Sequence, residues 1–162
     1  MLTFRTRKLA NATLLLSQIP LLQNYRDPKV YRLYLRRLTN NAAWITSAMQ
    51  GHRLIGCAIA VPVLAFAPVR KRTTELQQCS GVSPEMCIVR TAVHLNKGWY
   101  RQGIMTRIYE DSDAHAKAAG YSHDLSWGYD TPEIRSWTLC RAGAAELTVQ
   151  DDQGAPFILR AL

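Results

Sequence analysis

The stretch Val93-His94-Leu95-Asn96-Lys97-Gly98-Trp99-Tyr100-Arg101-Gln102-Gly103-Ile104-Met105-Thr106 decides the fold that we expect for this chain. It begins as the end of an apolar strand, passes through a basic, glycine-containing turn and leads into an amphipathic helix. The first turn of a helix has unpaired backbone N–H groups and a partial positive charge, which favour an anion. This junction is therefore predicted to bind phosphate.

The spacing of apolar residues and the turn-forming residues on both sides of the junction predict the other strands and helices. Strands are expected over residues 2–7, 44–46, 54–61, 86–95, 122–127, 146–149 and 156–159. Helices are expected over residues 10–23, 28–38 and 104–119, and from Pro132 to just before Gly143. Residues 67–83 are predicted to form a long exposed loop. The helix over residues 104–119 is expected to bury one face, formed by Met105, Ile108, Ser112, Ala116 and Ala119.

The composition indicates one folded domain over residues 1–162, since 48% of the residues are hydrophobic. The formal net charge is +8, from 20 basic and 12 acidic residues. Such a charge is typical of proteins with a polyanionic partner, and also of proteins with solvated basic faces. One basic cluster is Arg70-Lys71-Arg72, and another lines the helix over residues 28–38. Either a polyanionic partner or a solvated basic surface explains these two clusters.

Targeting and redox signals are weak. The four cysteines are far apart and form no Cys-x-x-Cys pair, so neither a zinc site nor a disulfide framework is predicted, and we expect a reducing, cytoplasmic location. Polar residues and Pro20 interrupt the apolar run over residues 9–22, so it does not predict a signal peptide. A transit peptide is the alternative for the acid-poor start. No stretch is long enough to predict a membrane span.

The junction resembles the cofactor loop of the GNAT superfamily of acyl-CoA-dependent N-acetyltransferases. In that family a Val-His or similar pair ends the fourth strand, and a Tyr-Arg-x-Gln-Gly-Ile-Gly type of loop takes the CoA pyrophosphate. Val93-His94, Tyr100-Arg101, Gln102-Gly103-Ile104 and Ile108-Tyr109 follow in that order here. The order of predicted elements also resembles the GNAT fold, an α/β (α+β) fold whose central, mixed and mostly antiparallel twisted sheet is flanked by helices.

The resemblance implies acetyl-CoA, or another acyl-CoA, as the cofactor. The residues that it assigns to cofactor binding are Val93, Leu95, Lys97, Arg101, Gln102, Gly103, Ile104, Met105 and Thr106. Three features differ from the family pattern. Tyr100 takes the place of the usual Arg or Gln, Met105 takes the place of the second small residue, and two extra residues separate His94 from Gly103.

The resemblance also implies direct attack of a substrate amine on the acyl-CoA thioester. His94 is the first candidate for the base, because it ends the strand beside the thioester in the family and imidazole titrates near neutral pH. Glu85, at the start of the same strand, is the second candidate. The family's acidic tyrosine is replaced by Leu139, and Tyr129 and Cys140 are the nearest substitutes in sequence. Each of these residues also has a purely structural explanation.

Strand alternation bears on His94. If Val89, Thr91 and Val93 face the core, then Arg90, Ala92 and His94 face either a cleft or a second core.

The acceptor amine is not identified by the sequence. Because the basic clusters would repel a basic peptide, they favour an acidic or polyanionic acceptor, such as an amine linked to tRNA or DNA. A GNAT-like enzyme that modifies nucleic acid is one alternative, and a non-enzymatic module that binds nucleic acid or a protein is another. No membrane partner is expected. The apolar strand at residues 157–159 is compatible with a homodimer and equally with packing on its own sheet.

Overall fold

The computed structural model describes residues 1–11, 17–19, 42–126, 132–150 and 154–162. Its strands are β1 (Leu2–Lys8), β2 (Trp44–Gln50), β3 (Arg53–Pro62), β4 (Cys87–Leu95), β5 (His123–Ser126), β6 (Ala144–Gln150) and β7 (Pro156–Ala161). Its helices are α1 (Ala67–Arg70), α2 (Thr73–Ser80), α3 (Ile104–Ala118) and α4 (Pro132–Leu139).

The described strands form a seven-stranded sheet with the order β1-β2-β3-β4-β5-β7-β6. The pairs β1–β2, β2–β3, β5–β7 and β6–β7 are antiparallel, whereas β4 and β5 are parallel. A parallel pair needs a crossover between its strands, and α3 lies in the connection from β4 to β5. The predicted mixed, mostly antiparallel sheet with flanking helices is therefore confirmed.

Two compact units make up the chain. The first consists of Met1–Val61 and Ala92–His115. It contains the β2–β3 hairpin, the end of β4 and most of α3, and its buried side chains include Ile45, Ile55, Ile59, Ile108 and Tyr109. The rings of Trp44 and His115 lie 5.1 Å apart between centroids, which joins β2 to α3.

The second unit consists of Pro62–Thr91 and Ala116–Leu162. Its apolar side chains include Val69, Leu76, Ile88, Leu125, Phe157 and Ile158, all of them buried. A buried ion cluster lies among them. Asp124 Oδ2 accepts hydrogen bonds from Arg90 Nε at 2.8 Å and from Arg160 Nη2 at 3.2 Å. The side chains of Arg90 and Asp124 are only 1% and 2% exposed, so the face of β4 that carries Arg90 is a second core.

The predicted strands and closing hairpin are confirmed, but the predicted loop over residues 67–83 is wrong. That segment contains α1 and α2, whose side chains Val69 and Leu76 are buried. Pro68 lies in the first turn of α1, where its missing N–H costs nothing, and Gly81 ends α2 with φ of 71°. Pro68 therefore marks the start of α1 and Gly81 the end of α2. The two helices were not predicted because they are short and mostly polar.

Helix α3 occurs where it is predicted and ends at Ala118, two residues before Gly120, whose φ is 90°. Its buried face differs in part from the predicted one. Met105 is half-buried and Ala119 is exposed, whereas Ile104, Tyr109 and Asp113 are buried with Ile108, Ser112 and Ala116. Ala119 follows the last residue of the helix, which explains its exposure. The buried face thus broadens into two adjacent rows at i, i+4 spacing.

The predicted helices over residues 10–23 and 28–38 fall mostly outside the described residues; Leu9–Asn11 form a 3-10 turn. Strand β7 lies between β5 and β6, and Phe157 and Ile158 are buried there. Packing on its own sheet thus explains the apolar closing strand, and a homodimer stays a prediction. None of the described helices is both long and apolar enough to span a membrane.

Candidate functional site

The candidate anion-binding loop begins where β4 ends. Asn96 follows Leu95, and its backbone N–H donates to Ile55 O at 2.8 Å. The Asn96 side chain makes a second contact with β3, because Nδ2 donates to Leu54 O at 2.9 Å. Leu54 N in turn donates to Gln18 Oε1 at 2.8 Å. The start of the loop is therefore fixed to β3 by both the backbone and the side chain of one residue.

A short turn and two left-handed residues connect this anchor to α3. Lys97–Trp99 form a 3-10 turn in which Trp99 N donates to Asn96 O at 2.9 Å. Arg101 has φ of 63°, a region that favours glycine, and Gly103 has φ of 71°. Gln102 Nε2 donates back to Gly98 O at 3.2 Å, which closes the loop on itself. The chain then enters α3 with the bond from Arg107 N to Gly103 O at 3.1 Å.

The start of α3 presents the donors that an anion requires. By helix geometry the N–H groups of Ile104, Met105 and Thr106 have no acceptor within the helix. A Cβ built on Gly103 would meet no atom within 4 Å, so the space beside this glycine is empty. Lys97 and Arg101 are exposed beside them. The fifteen-residue helix also contributes its dipole, so backbone, side chains and dipole all favour negative charge at this point.

His94 lies next to this loop and has a defined hydrogen-bond partner. Its Nε2 lies 2.9 Å from Asn96 Oδ1. A Cβ built on Gly56 would lie 2.8 Å from Leu95 Cδ1 and 3.3 Å from Ile108 Cδ1, so Leu95 is on the side of β4 that faces α3. Because successive side chains of a strand alternate, His94 is on the opposite side. The imidazole is half-buried there.

Of the other predicted catalytic residues, Glu85 and Cys140 belong to the second unit, whereas His94 belongs to the first. Glu85 is exposed and belongs to the 3-10 turn Pro84–Met86, since β4 begins only at Cys87; its predicted place on the strand is wrong. Cys140 follows α4 in the second unit, exposed, with its N–H on Ser136 O. Tyr129 lies outside the described residues.

The nine predicted cofactor residues lie between Val93 and Thr106, and all of them belong to the first unit. Val93 and Leu95 are half-buried at the end of β4, and the remaining seven surround the loop and the first turn of α3. Met105 contributes its amide and holds its side chain half-buried. Three free amides, two exposed cations and an open glycine match the chemistry of a pyrophosphate. The residues present therefore fit the CoA that the resemblance implies. Within the part of the chain that the structure describes, no cluster of metal-ligating side chains is found.

Two residues of the site are missed by reasoning from the sequence. Asn96 connects His94 to β3 and anchors the loop, and Gly56 allows the backbones of β3 and β4 to approach closely. Both depend on the pairing of strands about forty residues apart. An isolated glycine within an apolar strand is a signal of close backbone approach, and it is the only sequence signal for Gly56. For Asn96 we find none.

Comparisons of sequence and of structure give different results. No protein-family model matches the sequence, and no curated protein matches it. Solved structures do match, at 9–13% sequence identity. A GNAT-family acetyltransferase from Staphylococcus aureus Mu50 matches with TM-score 0.62 and 10% identity, over 100% of this chain and 99% of the other. The ribosomal-protein-S18-alanine N-acetyltransferase from Escherichia coli matches with TM-score 0.59 and 13% identity, over 100% and 93%.

A third match is the PaiA N-acetyltransferase from Thermoplasma acidophilum in complex with coenzyme A, with TM-score 0.59 and 9% identity, over 99% of each chain. These proteins share an arrangement of strands and helices with this chain across nearly its whole length. The resemblance noted in the sequence is thus confirmed at the level of architecture. This chain has the GNAT fold.

Proposed function

We propose that this chain is an acyl-CoA-dependent N-acyltransferase that uses acetyl-CoA or another acyl-CoA. The observation that carries this proposal is the open start of α3, where three free amides lie beside Lys97 and Arg101. The structural neighbours support it, because one of them is a complex of an N-acetyltransferase with coenzyme A. In the proposed reaction a substrate amine attacks the acyl group directly, without a covalent enzyme intermediate.

The chain's own residues would divide the work as follows. The amides of Ile104, Met105 and Thr106 hold the pyrophosphate, and Arg101 and Lys97 add charge-assisted contacts to it. By the resemblance to the family, the backbone of Val93 and Leu95 would hold the pantetheine arm. A bound acyl-CoA supplies an activated thioester. His94 accepts the proton that the attacking amine loses, and holding the reactants in place lowers the barrier by several kcal/mol.

The test is cofactor binding. Thermal unfolding with and without acetyl-CoA and free CoA, supported by titration calorimetry, measures it directly. Ligand at about a hundred times its dissociation constant adds about 2.7 kcal/mol, or roughly 5–10 °C in Tm for a chain of this size. Arg101→Glu is expected to weaken CoA binding by about tenfold, because it replaces a charge-assisted contact by repulsion.

Arg5→Glu is the matched control. Arg5 is exposed on β1 and carries the same charge, so this variant changes the net charge equally without altering the loop. We expect it to bind CoA like the unmodified chain. If neither acetyl-CoA nor CoA shifts the Tm of the unmodified chain, the proposed function is wrong, and binding of nucleic acid or protein by a module without acyl transfer becomes the better explanation.

We further infer an acidic or polyanionic acceptor amine, including one carried by nucleic acid. The support is the net charge of +8 together with the exposure of basic side chains on more than one element. Arg70 and Lys71 are exposed at the end of α1, and Arg5 and Lys8 are exposed on β1. Such charges raise the local concentration of an anionic acceptor and repel a basic one. Arg72 contributes less, since it pairs with Glu75 at 3.2 Å.

A further inference from the structure

The hydrogen bonds of Asn96 determine which nitrogen of His94 carries its proton. An amide side chain has one acceptor oxygen and one donor nitrogen, and the two are distinguished by their partners. Asn96 Nδ2 lies 2.9 Å from Leu54 O, which is a backbone carbonyl and accepts only. Rotating the amide would place two acceptor oxygens against each other. The oxygen Oδ1 is therefore the atom that faces His94 Nε2, at 2.9 Å.

An acceptor at this distance from Nε2 requires a proton on Nε2. Neutral imidazole has only one N–H group, so Nδ1 is then the basic nitrogen with a free lone pair. Among the described residues, the structure gives His94 no hydrogen bond other than the one at Nε2. The imidazole thus presents Nδ1, rather than Nε2, as its proton acceptor.

We infer that Asn96 is a positioning residue that holds His94 in the Nε2–H tautomer, with Nδ1 as the atom that takes the proton from the acceptor amine. Only the role of Nδ1 in accepting the proton of the amine rests on the proposed function; the tautomer of His94 does not. In the proton transfer, the N–H bond of the attacking amine breaks, Nδ1 gains the proton, and the imidazolium keeps its Nε2–H bond to Asn96. The positive charge is stabilised because Oδ1 remains an acceptor.

The arrangement is rigid because Asn96 is held at three points. Its N–H is bonded to Ile55 O at 2.8 Å, its Nδ2 to Leu54 O, and its carbonyl accepts from Trp99 N at 2.9 Å. The first two partners belong to β3, and the third belongs to the loop that leads to α3. The same residue therefore fixes the imidazole and the start of the candidate anion site. A lone histidine at the end of a strand would have neither constraint.

Nuclear magnetic resonance of the protein without any ligand tests the tautomer. We expect the side-chain ¹⁵N spectrum at a pH above the imidazole titration to show His94 protonated at Nε2, with a ring N–H proton that exchanges slowly with water. His94→Gln assigns the signals among the four histidines. In Asn96→Ala the slowly exchanging proton should disappear. A proton on Nδ1, or a ring proton equally protected in Asn96→Ala, overturns the inference.

Two further variants separate positioning from general loss of structure. Asn96→Asp loses the bond to Leu54 O, because a carboxylate oxygen cannot donate to a carbonyl, but it keeps an acceptor for Nε2–H. We expect it to keep the protected ring proton, so it covers the case in which Asn96→Ala does not fold, and a proton on Nδ1 in this variant also overturns the inference. Gln102→Ala is the matched control. It also removes a side-chain bond to a backbone carbonyl of this loop, that of Gly98, but it leaves His94 untouched. Loss of the His94 signal in Gln102→Ala would show that any loosening of the loop suffices, and would overturn the specific role of Asn96.

Separate measurement of kcat and of the Kd for CoA distinguishes failure of this inference from failure of the proposed function. Asn96→Ala keeps the two backbone bonds that anchor the loop, from Asn96 N to Ile55 O and from Trp99 N to Asn96 O. Once an amine acceptor is found, this variant should therefore lower kcat by about tenfold to a hundredfold and leave the Kd for CoA within about twofold. Unchanged kcat with normal CoA binding refutes the positioning role and leaves the acyltransferase intact. Absence of CoA binding in the unmodified chain refutes the proposed function, while the spectrum still decides the tautomer.

Discussion

Replacing Gly56 by alanine is expected to destabilise the first unit and to disturb the end of β4 that carries His94. A Cβ at this position would lie 2.8 Å from Leu95 Cδ1, 2.9 Å from His94 O and 3.3 Å from Ile108 Cδ1. Leu95 has a flexible side chain, but the His94 oxygen belongs to the backbone and cannot rotate away. The paired strands would therefore have to separate by a few tenths of an ångström.

The size of the effect follows from two opposing contributions. Over-packing of a well-packed core costs about 1–3 kcal/mol. Replacement of glycine by alanine also restricts the unfolded chain, which stabilises the folded state by about 0.4–1 kcal/mol. Because one of the close contacts is with backbone, we expect an over-packing cost of about 2–3 kcal/mol, so the net loss is about 1–2.5 kcal/mol, which corresponds to a decrease in Tm of roughly 2–10 °C for a chain of this length. Because Ile55 O and Leu54 O bind Asn96 next to Gly56, the protected ring proton of His94 should also exchange faster.

Urea unfolding at constant pH measures the first effect, with the slope m as a check that the same surface is exposed. Gly98→Ala is the matched control, since a Cβ on Gly98 would meet no atom within 4 Å and its φ is not positive. That variant should be unchanged or more stable. If Gly56→Ala unfolds within about 0.5 kcal/mol of the unmodified chain, the close approach of β3 and β4 at Gly56 is not as rigid as we argue.

Three further predictions concern the basic surface, the reactivity of the thiols and the dependence of stability on pH. Reversing the charge of Arg70 and Lys71 together should weaken the use of an anionic acceptor and leave the Kd for CoA unchanged; unaltered acceptor kinetics would rule out this basic surface. Hydrogen bonds with Thr148 lower the pKa of Cys79. Burial raises the pKa of Cys57 to about 12. The pKa of Cys87 is raised to about 11, mainly by burial and to a smaller extent by the charge of Asp124. A thiol reagent at pH 8 should therefore label Cys79 in the native protein and should reach Cys57 and Cys87 only after unfolding; rapid native labelling of Cys57 would contradict this. The two buried thiols keep their protons in the folded state, whereas the same thiols in the unfolded chain lose them from about pH 9. The free energy of unfolding should therefore fall between pH 9 and 11, by about 1 kcal/mol per pH unit for each thiol. Urea titrations that show no such fall would refute the assignment.

The elements with a regular pattern were predictable from the sequence. The strands β2 and β3 are runs of mainly apolar residues on either side of Gly51, which has φ of 58°, and α3 repeats its buried residues every four positions before Gly120. These signals are local, so no knowledge of the rest of the chain is needed to interpret them. The loop between β4 and α3 was predictable for the same reason. Its glycine, its cations and the helix start are adjacent in sequence.

The features that escaped prediction depend on residues far apart. Arg90 has no apolar side chain, yet it is buried, because its partners Asp124 and Arg160 arrive from β5 and β7. Asn96 acquires its role only when strand pairing brings Leu54 next to it. In α1 and α2 the difficulty is different. The helices are short and polar, and their two delimiting signals, Pro68 in the first turn of α1 and Gly81 after α2, are equally common in loops.

The departures of the loop from the family pattern are accommodated without loss of the helix start. Two extra residues precede Gly103, but the 3-10 turn Lys97–Trp99 takes up the added length, and Asn96 holds that turn against β3. Arg101 then adopts φ of 63°, which costs a residue with a Cβ about 1–2 kcal/mol. Glycine would avoid that cost and would bring no charge. Ala42 also has a positive φ, of 53°, so the conformation of Arg101 alone does not identify a ligand. The exposed guanidinium beside the start of α3 supports the anion site that we propose there.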